Sequence, residues 1–131
     1  MNLPYLTQLD VLRLEREINS LNEEERDRLD DLLARAHIVG GDEIPGDIVT
    51  MNSLLVYRDL QSNVANEVTL VYPELADSTK NRLSVTSAVG AALLGGRLGD
   101  EVEAELPNGQ TRRFKILAIP FQPEAAGQFH L

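Results

Sequence analysis

Apolar residues follow two different periods along this chain, and the change falls near residue 40. From Thr7 to Leu21 the apolar positions Val11, Leu14, Ile18 and Leu21 recur at 3-4-3 spacing, which places them on one stripe of a helix. Asn22 follows as an N-cap, with Glu25 three residues on as its capping-box partner. A second helix is predicted from about Glu23 to Ala36, with Leu29, Leu32, Leu33 and Ala36 on one side. Two narrow stripes meeting across a short connection predict an antiparallel helical hairpin. Each arm would run about 15 residues and, at ~1.5 Å per residue, project roughly 22 Å.

Val39 to Asp47 reads VGGDEIPGD, three glycines and a proline between two periodic regions. It is the natural boundary between an N-terminal part (1–42) and a second domain (43–131). Beyond it the pattern is that of strands: Val49 to Arg58, Glu67 to Tyr72 and Leu83 to Ser87 are rich in Val, Leu, Thr and Tyr, with polar loops between. Val89 to Leu94 reads as a short apolar helix covering the sheet, stopped at Gly95-Gly96, with Gly99-Asp100 turning the chain into a strand. Glu101 to Leu106 then alternates strictly, glutamates to solvent and apolar groups inward. Pro107-Asn108-Gly109 suits a three-residue turn with Gly109 left-handed, which sets Val102 opposite Phe114, Glu103 opposite Arg113 and Glu101 opposite Lys115. Pro120 and Pro123 are expected to confine the final strand to an edge or to end it.

Composition narrows the partners. The 131 residues carry a net charge of −9 and no cysteine. Thiol catalysis, zinc-thiolate sites and disulfides are excluded together, which suits a reducing cytoplasm. An acidic balance argues against direct, sequence-specific nucleic-acid binding, because phosphate contacts need a Lys/Arg surface. No signal peptide or membrane-length apolar run is present, so no membrane partner is expected.

Candidate chemistry is sparse. Gly90 and Gly95 bracket four residues as in a phosphate loop, but Gly96-Arg97 replaces the Gly-Lys-Ser/Thr ending. His37 and His130 lie far apart in the chain without metal-ligand spacing, and His37 reads as a dipole partner at the end of the second helix. Between Glu15 and Asp31 eight carboxylates face three arginines. Glu23, Glu24 and Glu25 sit at the hairpin tip, where they complement the helix dipole and could alternatively help hold a magnesium ion in a partner's active site. No catalytic residue, metal site or cofactor is assigned, and the expectation is a protein that is not an enzyme.

Several motifs together resemble a known family. They are Asp47-Ile48-Val49-Thr50-Met51-Asn52-Ser53, Thr69-Leu70-Val71-Tyr72-Pro73, Ser84-Val85, Val89 to Gly95, Gly99-Asp100 and Gln122-Pro123-Glu124-Ala125-Ala126-Gly127. In combination they resemble the Rnk group, the regulators of nucleoside diphosphate kinase, relatives of the GreA/GreB transcript-cleavage factors. The resemblance implies an α+β protein: a short coiled-coil hairpin followed by an FKBP-like antiparallel sheet domain with one short helix. It implies RNA polymerase as partner, with docking at the rim of the secondary channel through the loop before the short helix, so Ser87, Ala88, Val89 and Gly90 are the candidate contacts. Ala88 stands where the family usually has proline, and Thr86 where some members carry an acid. Gre factors have arms roughly twice as long, whose tip carboxylates help position magnesium. The shorter arm here implies a regulator that competes with Gre factors without stimulating cleavage. A Gre-like cleavage factor, an FKBP-like peptidyl-prolyl isomerase and a direct regulator of a nucleotide kinase are the alternatives.

Overall fold

The computed structural model describes residues 3–129, so His130 lies outside the described residues. The elements run β1 (Tyr5–Thr7), α1 (Gln8–Glu17), α2 (Glu23–Arg35), β2 (His37–Val39), β3 (Leu54–Asp59), β4 (Ala65–Val71), β5 (Arg82–Ser84), α3 (Ala88–Leu93), β6 (Glu101–Glu105) and β7 (Thr111–Phe121). Each helix starts where a side chain satisfies an orphan N–H. The Thr7 hydroxyl accepts from Asp10 N at 3.1 Å. Asn22 and Glu25 close the expected box, Asn22 Oδ1 accepting from Glu25 N at 2.9 Å and Glu25 Oε1 from Asn22 N at 3.1 Å. The first helix is shorter than its stripe: after Glu17 the chain tightens into a 3-10 turn over Ile18–Ser20.

β1 and β2, at the two ends of this helical segment, pair in parallel with Tyr5 opposite His37 and Thr7 opposite Val39. Three-residue strands carry no readable alternation, so neither is visible in the sequence pattern. Ala36 is already extended, with ψ 142, so His37 falls in a strand and not on a helix end. Its ring stands edge-on to Tyr5 at 4.9 Å instead of complementing a dipole.

The main sheet has the order β5-β4-β3-β7-β6, antiparallel except for the parallel pair β4·β5. The expected all-antiparallel sheet is thus corrected at one edge, where two 3-10 turns (Pro73–Leu75 and Ser78–Lys80) carry the chain across and bring β5 back alongside β4. The hairpin β6·β7 has the expected register, Val102 opposite Phe114, Glu103 opposite Arg113 and Glu101 opposite Lys115. Gly109 is left-handed at φ 83. β7, by contrast, runs through Pro120 and pairs on both sides. Proline is tolerated because β6 pairs only up to Lys115, and register shifts interrupt the β3 ladder near Pro120.

The helices do not stand off from the sheet. Leu14, Leu29 and Leu32 are at most 2% exposed and belong to one apolar cluster with Met51, Leu55, Leu70, Leu93 and Ile116. A stripe that looked sufficient for helix-helix contact is spent on the sheet domain. Because Leu29 is fully buried in that shared cluster, Leu29→Ala is expected to cost ~2–5 kcal/mol of global stability. Urea unfolding followed on helix and sheet signals should shift in one coincident transition. A variant whose sheet unfolded at the wild-type midpoint while its helices melted early would contradict the shared core.

Candidate functional site

The candidate contacts Ser87 to Gly90 form the turn into α3, and its shape is set by short polar links. Ser87 Oγ accepts from Gly90 N at 3.0 Å and donates to Ser84 O at 2.7 Å. Ser84 and Thr86 hydroxyls meet at 2.7 Å, and Thr86 N donates to Ser84 Oγ at 3.1 Å. Gly90 permits this closeness, because a Cβ there would lie 2.0 Å from the Ser84 carbonyl oxygen. The four residues are half-buried or, for Gly90, buried. What they present is a compact ledge of backbone and small side chains.

Ledge and tip are physically joined. Arg28 of α2 donates from Nη1 to Thr86 O at 2.9 Å and pairs through Nη2 with Glu24 at 3.6 Å. Nothing local in the sequence marks the contact from Arg28 to the ledge, since Thr86 is 58 residues away. Of the three tip carboxylates, Glu25 is held by the Asn22 amide and Glu24 faces Arg28. Among the described residues no group of three or more His, Asp or Glu side chains is placed to hold a metal ion.

Residues before β3 and after β7 converge on a second constellation. Gln122 Nε2 donates to Pro45 O at 2.7 Å and Ile48 O at 2.8 Å, while its Oε1 accepts from Ala125 N. Thr50 Oγ1 donates to Glu124 Oε1 at 2.7 Å and meets Ser53 Oγ at 2.9 Å. Asp47 pairs with Arg97 at 3.4 Å. These contacts tie the 45–53 segment to the end of β7 and to the turn after α3.

Asp10 enters the same region from α1, and sequence reasoning missed it. The Thr-x-x-Asp spacing from Thr7 marks a helix start, but nothing local announces that its Oδ2 accepts from Met51 N at 3.1 Å. The residue is 2% exposed. Burial pushes its carboxyl up from 3.8 to about 6, aided by the nearby Glu124 charge and opposed by the Met51 amide, Thr7 and Arg13. The Tyr72 hydroxyl is buried beside it without a well-formed hydrogen bond, and burial together with Asp10 raises its pKa too.

Residues 36–121 match the GreA/GreB transcription elongation factor C-terminal family. The chain is 43% identical over 105 residues to the regulator of nucleoside diphosphate kinase of Escherichia coli (strain K12), covering 80% of this chain and 77% of the relative. It is 34% identical over 92 residues to the transcription elongation factor GreA of Clostridium acetobutylicum, covering 70% of this chain and 58% of that protein. Among solved structures, a GreA/GreB transcription elongation factor from Nitrosomonas europaea superposes with a TM-score of 0.73 at 37% identity, covering 92% of this chain and all of the other.

The folded state holds the Asp10 proton more tightly than the unfolded chain, so its contribution to stability falls as pH rises from 3.8 to about 6 and is level above that. Glu17, raised by burial and then by Glu74, gives a slope of the same sign that an Asp10 variant retains. Asp10→Asn should therefore gain on the wild type by up to ~3 kcal/mol as urea stability is followed upward through that window. A difference between the two proteins that is independent of pH would show that this carboxyl does not titrate there.

Proposed function

The chain belongs to the GreA/GreB transcription elongation factor family, and from that premise we propose that it is a Rnk/Gre-type regulator of RNA polymerase. In this reading the part from residue 43 onward, FKBP-like in plan, docks at the rim of the secondary channel through Ser87, Ala88, Val89 and Gly90. The protein competes there with Gre factors and does not stimulate transcript cleavage. It acts in the cytoplasm, with no catalytic residue, cofactor or membrane contact of its own, and its effect on a nucleotide kinase runs through transcription.

The observation that carries the reading is the burial of the helical stripes in the sheet core. α2 has 13 residues, a rise of ~20 Å at most, and its leucines fix it against the docking part. A carboxylate serves a metal only at ~2.0–2.6 Å, so a short arm held back on its own domain favours occupation of the channel entrance over chemistry at its end. Glu24 and Glu25 are moreover engaged with Arg28 and Asn22. The isomerase alternative has only a shared fold behind it, and fold does not carry function.

Backtracked polymerase complexes test the proposal. The protein alone should yield no cleavage product, and titrating it into a reaction driven by a Gre factor should suppress cleavage. Ala88→Arg should weaken that suppression roughly tenfold, as expected for a charge placed in a close contact. Cleavage that appears with the wild type and disappears when Glu23, Glu24 and Glu25 are all changed to alanine would overturn it.

A further inference from the structure

We infer that the free edge of β6, with the cleft between it and α2, is a docking groove for an extended basic peptide segment that adds as a strand. The inference concerns a surface of the fold itself and does not rest on the polymerase reading.

The edge is open in hydrogen-bonding terms. Ile116 N donates to Asp100 O at 3.0 Å and Leu106 N to Gln110 O at 2.8 Å, so the residues at 100, 102, 104 and 106 turn their backbone groups toward β7. By the alternation of an antiparallel ladder, the N–H and C=O groups of Glu101, Glu103 and Glu105 point away from the sheet. The opposite edge is different: β5 has three residues, and Asp77 exchanges backbone hydrogen bonds with Arg82 across it. β6 is the edge that can template another strand.

Beside that edge lies space with a defined lining. Two adjoining clefts of about 450 and 620 Å³ run between α2 and β6, and both are lined by Ala91 and Ala92 of α3 and Leu32 of α2. Small residues on α3 keep the floor low. An added strand would set one face of its side chains on these alanines and the other among the glutamates.

Charge selects the occupant. The three arginines of the groove are already engaged, Arg28 with Glu24, Arg35 with Asp31 and Arg113 with Glu103. Asp27, Glu101 and Glu105 also line the groove and form no ion pair among the described residues. A second copy of the chain pairing through β6 would set glutamate against glutamate, which is unfavourable. Nucleic acid is repelled and has no backbone to match a strand edge. A segment alternating basic with small or apolar residues satisfies edge, floor and charge together.

The test uses the full-length, isotope-labelled protein and a short peptide alternating arginine and valine. Two N-methylated versions of that peptide each block one alternate set of its N–H groups and keep its charge. The expected result is amide shifts centred on Glu101, Glu103, Glu105 and the neighbouring α3 alanines. One N-methylated peptide should bind roughly tenfold or more weakly, because its edge-facing donors are gone, while the other retains affinity. Equal affinity for all three peptides would mean charge alone and would overturn the inference. So would shifts elsewhere, no shift with the unmodified peptide, or the same amides shifting with protein concentration as a dimer forms.

Discussion

Three stretches of backbone meet at Gly95-Gly96, and the arrangement depends on there being no side chain at the first of them. Tyr5 N donates to Gly95 O at 3.1 Å, Gly95 N donates to Val49 O at 2.8 Å, and Val49 N donates to Gly96 O at 2.9 Å. The junction therefore hydrogen-bonds the N-terminal strand and the segment before β3 to the end of α3. Gly95 has φ +82, and a Cβ on it would lie 2.7 Å from Pro4 Cβ and 3.1 Å from Tyr5 backbone atoms. Any other residue would both strain the turn and push β1 away. With β1 held, β2 pairs beside it, and α1 and α2 between them are placed with their leucines against the sheet core.

That placement shapes the functional reading. A hairpin attached by a flexible linker would move its tip independently of the Ser87 to Gly90 ledge. Here Arg28 bonds the Thr86 carbonyl while pairing with Glu24, and Asp10 of α1 accepts from the Met51 amide. Tip, ledge and the motif-rich 45–53 segment therefore belong to one mechanical unit. Burial of Asp10 also carries an electrostatic cost near neutral pH that an apolar residue would avoid.

Elements specified by neighbours in the chain were legible from residues alone. The Asn22–Glu25 box and the Glu101–Lys115 register both follow from spacing and turn chemistry within a few residues. The family, too, was legible, because its motifs are short and contiguous. What escaped was set by distant partners. His37 looks helical until Pro4 and Tyr5 are seen to pair with it, and Leu29 looks like a hairpin contact until it is found in one apolar cluster with Met51 and Leu93. Pro120 seems to demand an edge until the shortness of β6 leaves its side unpaired. Within the candidate site, Ser87 to Gly90 come from the resemblance alone and their cap geometry from local spacing, while Arg28 and Asp10 act across 58 and 41 residues and carry no local mark.

Through their common apolar cluster, helices and sheet should unfold as one cooperative unit. Native-state hydrogen exchange of the unmodified protein measures this residue by residue. The amides of Leu29 and Leu32 should open with the same free energy, and the same denaturant dependence, as those of Leu55, Leu70 and Ile116. Exchange of the α2 amides through a separate opening, several kcal/mol below that of the sheet and insensitive to denaturant, would show an arm hinged on an independent domain and contradict the account.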